Sequence, residues 1–255
     1  MRRIIWERRR AIIVGLAAII LFIVYMNSVS LAEPKIAPPG GRAVGALIIP
    51  HPGRPPHPFC TASVITSHKG DLLLTAAHCL SRKKLGNVMF APGFYRGHAK
   101  FGEWKVTNQF FAPGWFGGNV NRDFAFLTVQ GDVQASVGAE KLGYTIPVPR
   151  TVRVEGYSPL AGPVVCNRKP GTIKVSGLRQ LVFDCPGYSN ASSGAPFLTD
   201  INSKSGQGTV VGVIGGYQQG GDYPWVSYSS PVGPALYGLY RTLGQPSLPP
   251  AARRR

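Results

Sequence analysis

From residue 44 onward, short apolar runs alternate with clusters of Gly, Pro, Asn, Asp and Ser. The runs are rich in Val, Ile, Leu, Thr and Phe, which favour a pleated, half-buried backbone. They predict strands at 44–49, 60–66, 71–76, 87–90, 103–111, 124–129, 151–156, 172–176, 180–184, 194–199, 209–217 and 225–229. Many short strands separated by turn residues imply an all-β barrel or sandwich rather than a helical bundle. Only residues 233–243, GPALYGLYRTL, read as a helix, short and placed to close the domain. No internal repeat with a period of 20–50 residues is visible.

The ends differ from this middle. Residues 1–10 hold five arginines against one glutamate, and residues 11–26, AIIVGLAAIILFIVYM, are apolar throughout. A basic start, an apolar stretch and small residues after it have the order of an export signal. Ser30-Leu31-Ala32 fits a cleavage site that would leave Glu33 as the mature start. Sixteen apolar residues fall a little short of the ~20 of a spanning helix. Residues 1–32 therefore read as a signal peptide or, alternatively, a retained signal anchor. Either places the remainder outside the cytoplasm, because the positive end stays inside. Residues 33–43 form a Pro/Gly linker, and residues 244–255 a basic tail ending Arg253-Arg254-Arg255.

Composition narrows the class. Of 255 residues, 44% are hydrophobic, enough for a real core and incompatible with wholesale disorder. Only 15% are charged, while 32 glycines and 23 prolines suit tight turns. The net charge of +17 is partly concentrated at the two ends. No long basic run marks the middle, so a solvated basic surface is expected there rather than a nucleic-acid site. The four cysteines, Cys60, Cys79, Cys166 and Cys185, form no CxxC and no zinc-finger spacing. In an exported chain they read as two disulfides, 60–79 and 166–185. Three pairings exist, and the sequence alone does not select one.

Three segments carry chemistry. LLLTAAHC at 72–79 brings His78 to the end of an apolar strand, unlike the other four histidines. NRDFAFLTV at 121–129 puts Asp123 at the mouth of another apolar strand, where a carboxylate needs hydrogen-bond partners to be buried. GYSNASSGAPFL at 187–198 sets Ser193 in a turn of small residues, able to aim several backbone amides at one point. A lone strand-end histidine, a turn aspartate and a serine-rich turn are each commonly structural. Together they supply a nucleophile, its base and an orienting acid, in the chain order of the general template for acyl transfer.

At these residues the chain resembles the chymotrypsin-like (trypsin-like) serine peptidases. The likeness rests on TAAHC at 75–79, DFAFL at 123–127 and SSGAP at 192–196, and spans about residues 44–243. More narrowly, Phe59–Ser63, Phe183–Tyr188 and Val213–Asp222 resemble the secreted actinobacterial branch. The resemblance implies two packed six-stranded antiparallel β-barrels, at 44–140 and 141–243, with the site between them. It implies that Cys60–Cys79 ties down the histidine turn and Cys166–Cys185 braces the approach to the serine. It implies Ser193 as nucleophile, His78 as base, Asp123 as its orienting acid, and the Ala191 and Ser193 amides as oxyanion hole. It implies a protein or peptide substrate for an exported endopeptidase that needs no metal or other cofactor. The expected state is a monomer, with membrane contact only through the N-terminal segment and no nucleic-acid partner.

Three departures from the family pattern shape further expectations. Ser192 replaces the aspartate that pairs with a freed N-terminus in animal relatives, and VGAL at 44–47 lacks the usual start, so the site should form without that ion pair. Ala191 replaces a glycine, which predicts a strained or turned-away oxyanion donor. Gly187 stands where an acid would hold Arg or Lys, so trypsin specificity is not expected. The pocket is expected from Gly187, Gly215, Gly216, Tyr217 and Trp225, with the tryptophan narrowing or filling it. Ala191 and Trp225 also motivate an alternative, a catalytically impaired relative that binds peptides or envelope partners.

Overall fold

The computed structural model describes residues 41–144, 148, 151–159 and 162–243. The expected leader, the first part of the linker and the basic tail lie outside them. The described residues belong to one compact unit, Pro34–Arg255. No helix among them is long and apolar enough to cross a membrane.

Sixteen strands among the described residues build the domain. The first eight are β1 (Val44–Ile48), β2 (Pro58–Val64), β3 (Leu72–Thr75), β4 (Met89–Pro92), β5 (Phe94–Tyr95), β6 (His98–Ala99), β7 (Trp104–Phe111) and β8 (Ala125–Val129). Six of them close a barrel in the order β1-β2-β3-β8-β7-β4, and β5 and β6 form a small separate hairpin. The others are β9 (Lys141–Leu142), β10 (Val152–Ser158), β11 (Gly162–Arg168), β12 (Gly171–Val175), β13 (Leu178–Asp184), β14 (Pro196–Thr199), β15 (Thr209–Ile214) and β16 (Val226–Pro231). These form one eight-stranded sheet in the order β11-β10-β14-β15-β16-β13-β12, with β9 alongside β15. The second half is thus a sheet with β11 and β12 at its ends, where the resemblance implies a second six-stranded barrel. Helix α1 (Val133–Val137) follows β8, and α2 (Pro234–Thr242) ends the described chain.

Strands β1 and β3 of the first barrel are apolar on both faces because each face meets a different core. On β3, Leu73 points into the barrel with Leu47, Val64, Phe90 and Leu127. Its neighbours Leu72 and Leu74 point outward, against Phe126, Val213 and the helix residues Leu236 and Tyr240. Alternation with period two therefore persists in space although Leu72–Leu74 is an unbroken apolar run. Burying each such leucine contributes about 1.5–3 kcal/mol. β1 divides likewise: Leu47 faces the barrel, while Val44, Ala46 and Ile48 pack on Tyr157 of β10.

The helix α2 begins with Pro234 in its first turn, where no intrahelical N–H is needed. Its Tyr240 hydroxyl donates to Thr66 O at 2.6 Å, pinning the helix to the end of the first barrel. Two differences from the sequence reading have local causes. β11 was not expected, since GPVVCNR offers only two clear strand formers; it exists because it pairs along its whole length with β10. The strand expected at 209–217 stops at Ile214 because Gly216 takes φ 81°, ψ −122° and turns the chain. Both disulfides of the cysteine reading form, Cys60–Cys79 and Cys166–Cys185, with Cα separations of 6.1 and 6.7 Å.

Candidate active site

His78 lies in the 3-10 turn Ala77–Cys79 that ends β3. The turn is clamped by the disulfide from Cys79 to Cys60 of β2. Asp123 follows the 3-10 turn Val120–Arg122 and opens β8, which runs beside β3. That pairing brings the two side chains together across 45 residues of chain: His78 Nδ1 lies 2.8 Å from Asp123 Oδ2. Asp123 also accepts the His78 backbone amide at 2.9 Å on Oδ1 and the Gly216 amide at 2.9 Å on Oδ2. The Ser230 hydroxyl donates to its backbone carbonyl at 2.8 Å. The residue is 0% exposed, and these donors meet the need of a carboxylate removed from water. A proton on Nδ1 toward the acid leaves Nε2 as an acceptor.

Ser193 closes the 3-10 turn Asn190–Ser192, just before β14. It and His78 line the same cavity of about 520 Å³, without a direct hydrogen bond between their side chains. The turn is locked by its own hydroxyls. Ser192 Oγ accepts from the Ser189 amide at 3.2 Å and donates to Tyr157 O at 3.1 Å. A buried neutral hydroxyl thus anchors the turn.

Thr61 of β2 joins the serine turn to the first barrel. Its amide donates to Ser193 O at 2.8 Å and its hydroxyl to Ala191 O at 2.9 Å. The same hydroxyl accepts the Tyr157 amide at 3.0 Å. Gly194, at φ +84°, lies against this knot: a Cβ there would collide with Thr61 O and Thr75 Oγ1. Thr61, Asn121 and Gln180 carry no expected role in the sequence. Asn121 Oδ1 accepts from Gln180 Nε2 at 2.8 Å, and Gln180 Oε1 accepts the Tyr217 amide at 3.0 Å, which ties the Asp123 turn to the loop after β15. Polar residues inside strand-like or turn-like segments were the available signal.

The expectation of a strained donor at Ala191 needs correction. Positive φ among described non-glycine residues occurs only at Arg96, Ser176, Asp200, Gln218 and Gln219. Ala191 sits inside the 3-10 turn, in a conformation that tolerates its Cβ. The amides of Ala191 and Ser193 donate no hydrogen bond among the described residues. Ser193 lines the cavity, whereas the Ala191 side chain is buried behind it.

The pocket also differs from expectation. Gly187, Gly215, Gly216, Tyr217 and Trp225 are absent from the cavity wall, which is made by Tyr188, Ile214, Val226, several serines and the segment Gln218–Pro224. Gly216 instead holds Asp123 and borders a second groove with Trp115 and Phe116. Tyr217 packs edge-on against Tyr228. Trp225 is 55% exposed and stacks on Tyr223 at 4.9 Å, so it leaves the cavity unfilled. Gly187 carries no acid, yet the wall does contain one, Asp222. Cys60, His78 and Cys79 also cluster closely, but the two sulfurs are joined in a disulfide and are no thiolate ligands.

Comparison with known proteins adds a family and a fold. The profile of the family described as Trypsin matches residues 39–178. No curated protein matches the sequence. Among solved structures, the chain is similar to the protease Anisep from Arthrobacter nicotinovorans, with a TM-score of 0.65 at 20% identity, covering 81% of this chain and 96% of that one. It is similar to the thermostable serine protease AL20 from an extremophilic microorganism, at TM-score 0.65 and 19% identity over 80% and 97% of the two chains. A Glu endopeptidase in complex with MPD is also similar, at TM-score 0.59 and 16% identity over 79% and 90%.

Proposed function

The chain belongs to the trypsin family of serine proteases, and on that premise we propose that it is an exported endopeptidase working through Ser193, His78 and Asp123. The observation that carries the proposal is the buried His78–Asp123 pair at 2.8 Å, opening onto the cavity that Ser193 also lines. In this reading His78 Nε2 takes the Ser193 proton as Oγ attacks the substrate carbonyl. Asp123 holds the ring by Nδ1 and stabilises the imidazolium that results. The Ser193 and Ala191 amides, free of other acceptors, take the charge that develops on the carbonyl oxygen. His78 then protonates the leaving amine, and water hydrolyses the acyl-enzyme by the reverse proton path. Substrate binding closes the gap between Ser193 and His78, as catalytic hydrogen bonds often tighten only in the complex.

The two disulfides support folding outside a reducing cytoplasm. The narrower likeness to the secreted actinobacterial branch rests on Phe59–Ser63, Phe183–Tyr188 and Val213–Asp222. A fluorophosphonate probe tests the catalytic reading, with Ser193→Ala and His78→Ala as controls. Labelling that both substitutions abolish supports it. A folded, disulfide-intact protein that stays unlabelled overturns it and favours a peptide-binding relative.

A further inference from the structure

Two buried amide side chains form a relay that the proposed reaction leaves unused. Asn121 sits in the turn Val120–Arg122, immediately ahead of Asp123, and is 2% exposed. Gln180 lies on β13 and is 0% exposed. Asn121 Nδ2 donates to Val175 O at 2.7 Å, which leaves its Oδ1 in need of a donor. Gln180 Nε2 supplies that donor at 2.8 Å. Gln180 Oε1 in turn accepts the Tyr217 amide at 3.0 Å. Every donor thus points the same way, from the loop after β15 through Gln180 and Asn121 to β12. The relay ends beside the acid. The Gly216 amide donates at 2.9 Å to Asp123 Oδ2, the oxygen that also lies 2.8 Å from His78 Nδ1. Gly216, at φ +81°, rests directly on Gln180: a Cβ there would lie 2.7 Å from Oε1 and 2.8 Å from Nε2. A single side chain therefore holds both the turn that presents Asp123 and the peptide that donates to it.

We propose that Gln180, acting with Asn121, is a positioning residue that sets the Gly216 amide on Asp123 Oδ2 and so fixes the carboxylate that orients His78. Oδ2 has two polar neighbours, the histidine ring and this amide. If the amide withdraws, the carboxylate turns toward its remaining donors and the ring follows it. The side chain at 180 has to be an amide for this task. An apolar one of the same length leaves Asn121 Oδ1 and the Tyr217 amide unpaired inside the protein. An ionised carboxylate offers two acceptors and no donor for Asn121 Oδ1. Neither Gln180 nor Asn121 lines the cavity that His78 and Ser193 share, so the effect belongs in kcat rather than in KM. The inference rests on the catalytic reading above.

The test uses the full chain with both disulfides formed, p-nitrophenyl acetate as substrate, and fluorophosphonate labelling of the parent. Gln180→Met keeps the side-chain length and removes both hydrogen bonds, and Asn121→Ser removes the other half of the pair. Each should lower kcat by up to about 100-fold, the cost of a displaced catalytic geometry, with KM unchanged. The double variant should lose no more than the worse single one, because the two side chains act as a unit. In a Ser193→Ala background, the low-field proton resonance of His78 Nδ1–H should shift or broaden in each variant, which a loss of stability elsewhere does not cause. Variants with the parent's kcat and resonance overturn the inference and leave the hydrolase reading intact. A loss confined to KM, or losses that multiply in the double variant, also overturn it. Should one single variant fail to fold, the other decides; failure of both makes the pair a folding requirement and overturns the positioning role. A parent that takes no label overturns the hydrolase reading, and the resonance then decides the relay by itself.

Discussion

Glu140 offers the sharpest quantitative prediction. It follows α1, is 0% exposed, and holds one carboxylate oxygen on the Gly208 amide while the other has no partner. Burial pushes its pKa from 4.5 up to about 8; the Gly208 hydrogen bond opposes this, neighbouring Glu155 adds to it, and Arg153 opposes it. The folded protein therefore keeps a proton on Glu140 at pH values where the unfolded chain has lost it. Stability is fully present below about pH 4.5 and falls as pH rises toward 8. A shift of this size corresponds to roughly 5 kcal/mol at one pKa unit per ~1.4 kcal/mol. Glu140→Gln keeps the shape, is neutral at every pH, and removes that slope. In a Ser193→Ala background, which prevents self-digestion, urea denaturation at pH 5, 7 and 9 compares the two proteins. The Gln variant should gain steadily on the parent, by up to about 1.4 kcal/mol per pH unit, and lead at pH 9. The difference between the curves reports Glu140 together with its coupling to neighbouring Glu155. Parallel curves across this range would refute the reasoning and mean that the site admits water or a cation.

Other expectations are simpler. Asp123→Asn should keep the fold but lower kcat by about 10⁴-fold, because the amide favours the wrong histidine tautomer; a peptide assay with a circular dichroism control checks it. Thr61→Val removes the hydroxyl that serves Ala191 O and the Tyr157 amide, and should cost about 1–3 kcal/mol in denaturant titration while weakening probe labelling. Ser192→Asp places a charge where Tyr157 O offers only an acceptor, and should destabilise by about 3 kcal/mol or more rather than improve activity. Replacing both Cys60 and Cys79 by serine opens a loop with a sequence separation of 19 and should cost about 3 kcal/mol, read as a lower urea midpoint.

Much of the architecture could be read from the chain because it is written in local chemistry. The runs at 44–49, 124–129 and 225–229 become strands that differ from the reading only at their ends. His78 and Asp123 were legible because each is a polar residue at the end of an apolar strand, a placement with few structural uses. What escaped depends on partners distant in sequence. β11 is stabilised by pairing with β10 rather than by its own propensity. Thr61 looks like any strand threonine until the serine turn, 130 residues away, places Ala191 O beside its hydroxyl. Trp225 was expected near the pocket from the resemblance, yet it is exposed and its ring stacks on Tyr223.

The knot at Thr61 also bears on how the two halves depend on each other. The turn that carries Ser193 belongs to the last third of the chain, but its carbonyls are held by a threonine from the first strands. Asp123 of the first barrel is likewise held by Gly216 and Ser230 from the second half. Neither half alone supplies all the contacts that fix these two turns, so the Ser193 turn and Asp123 reach their final setting only where the two halves meet.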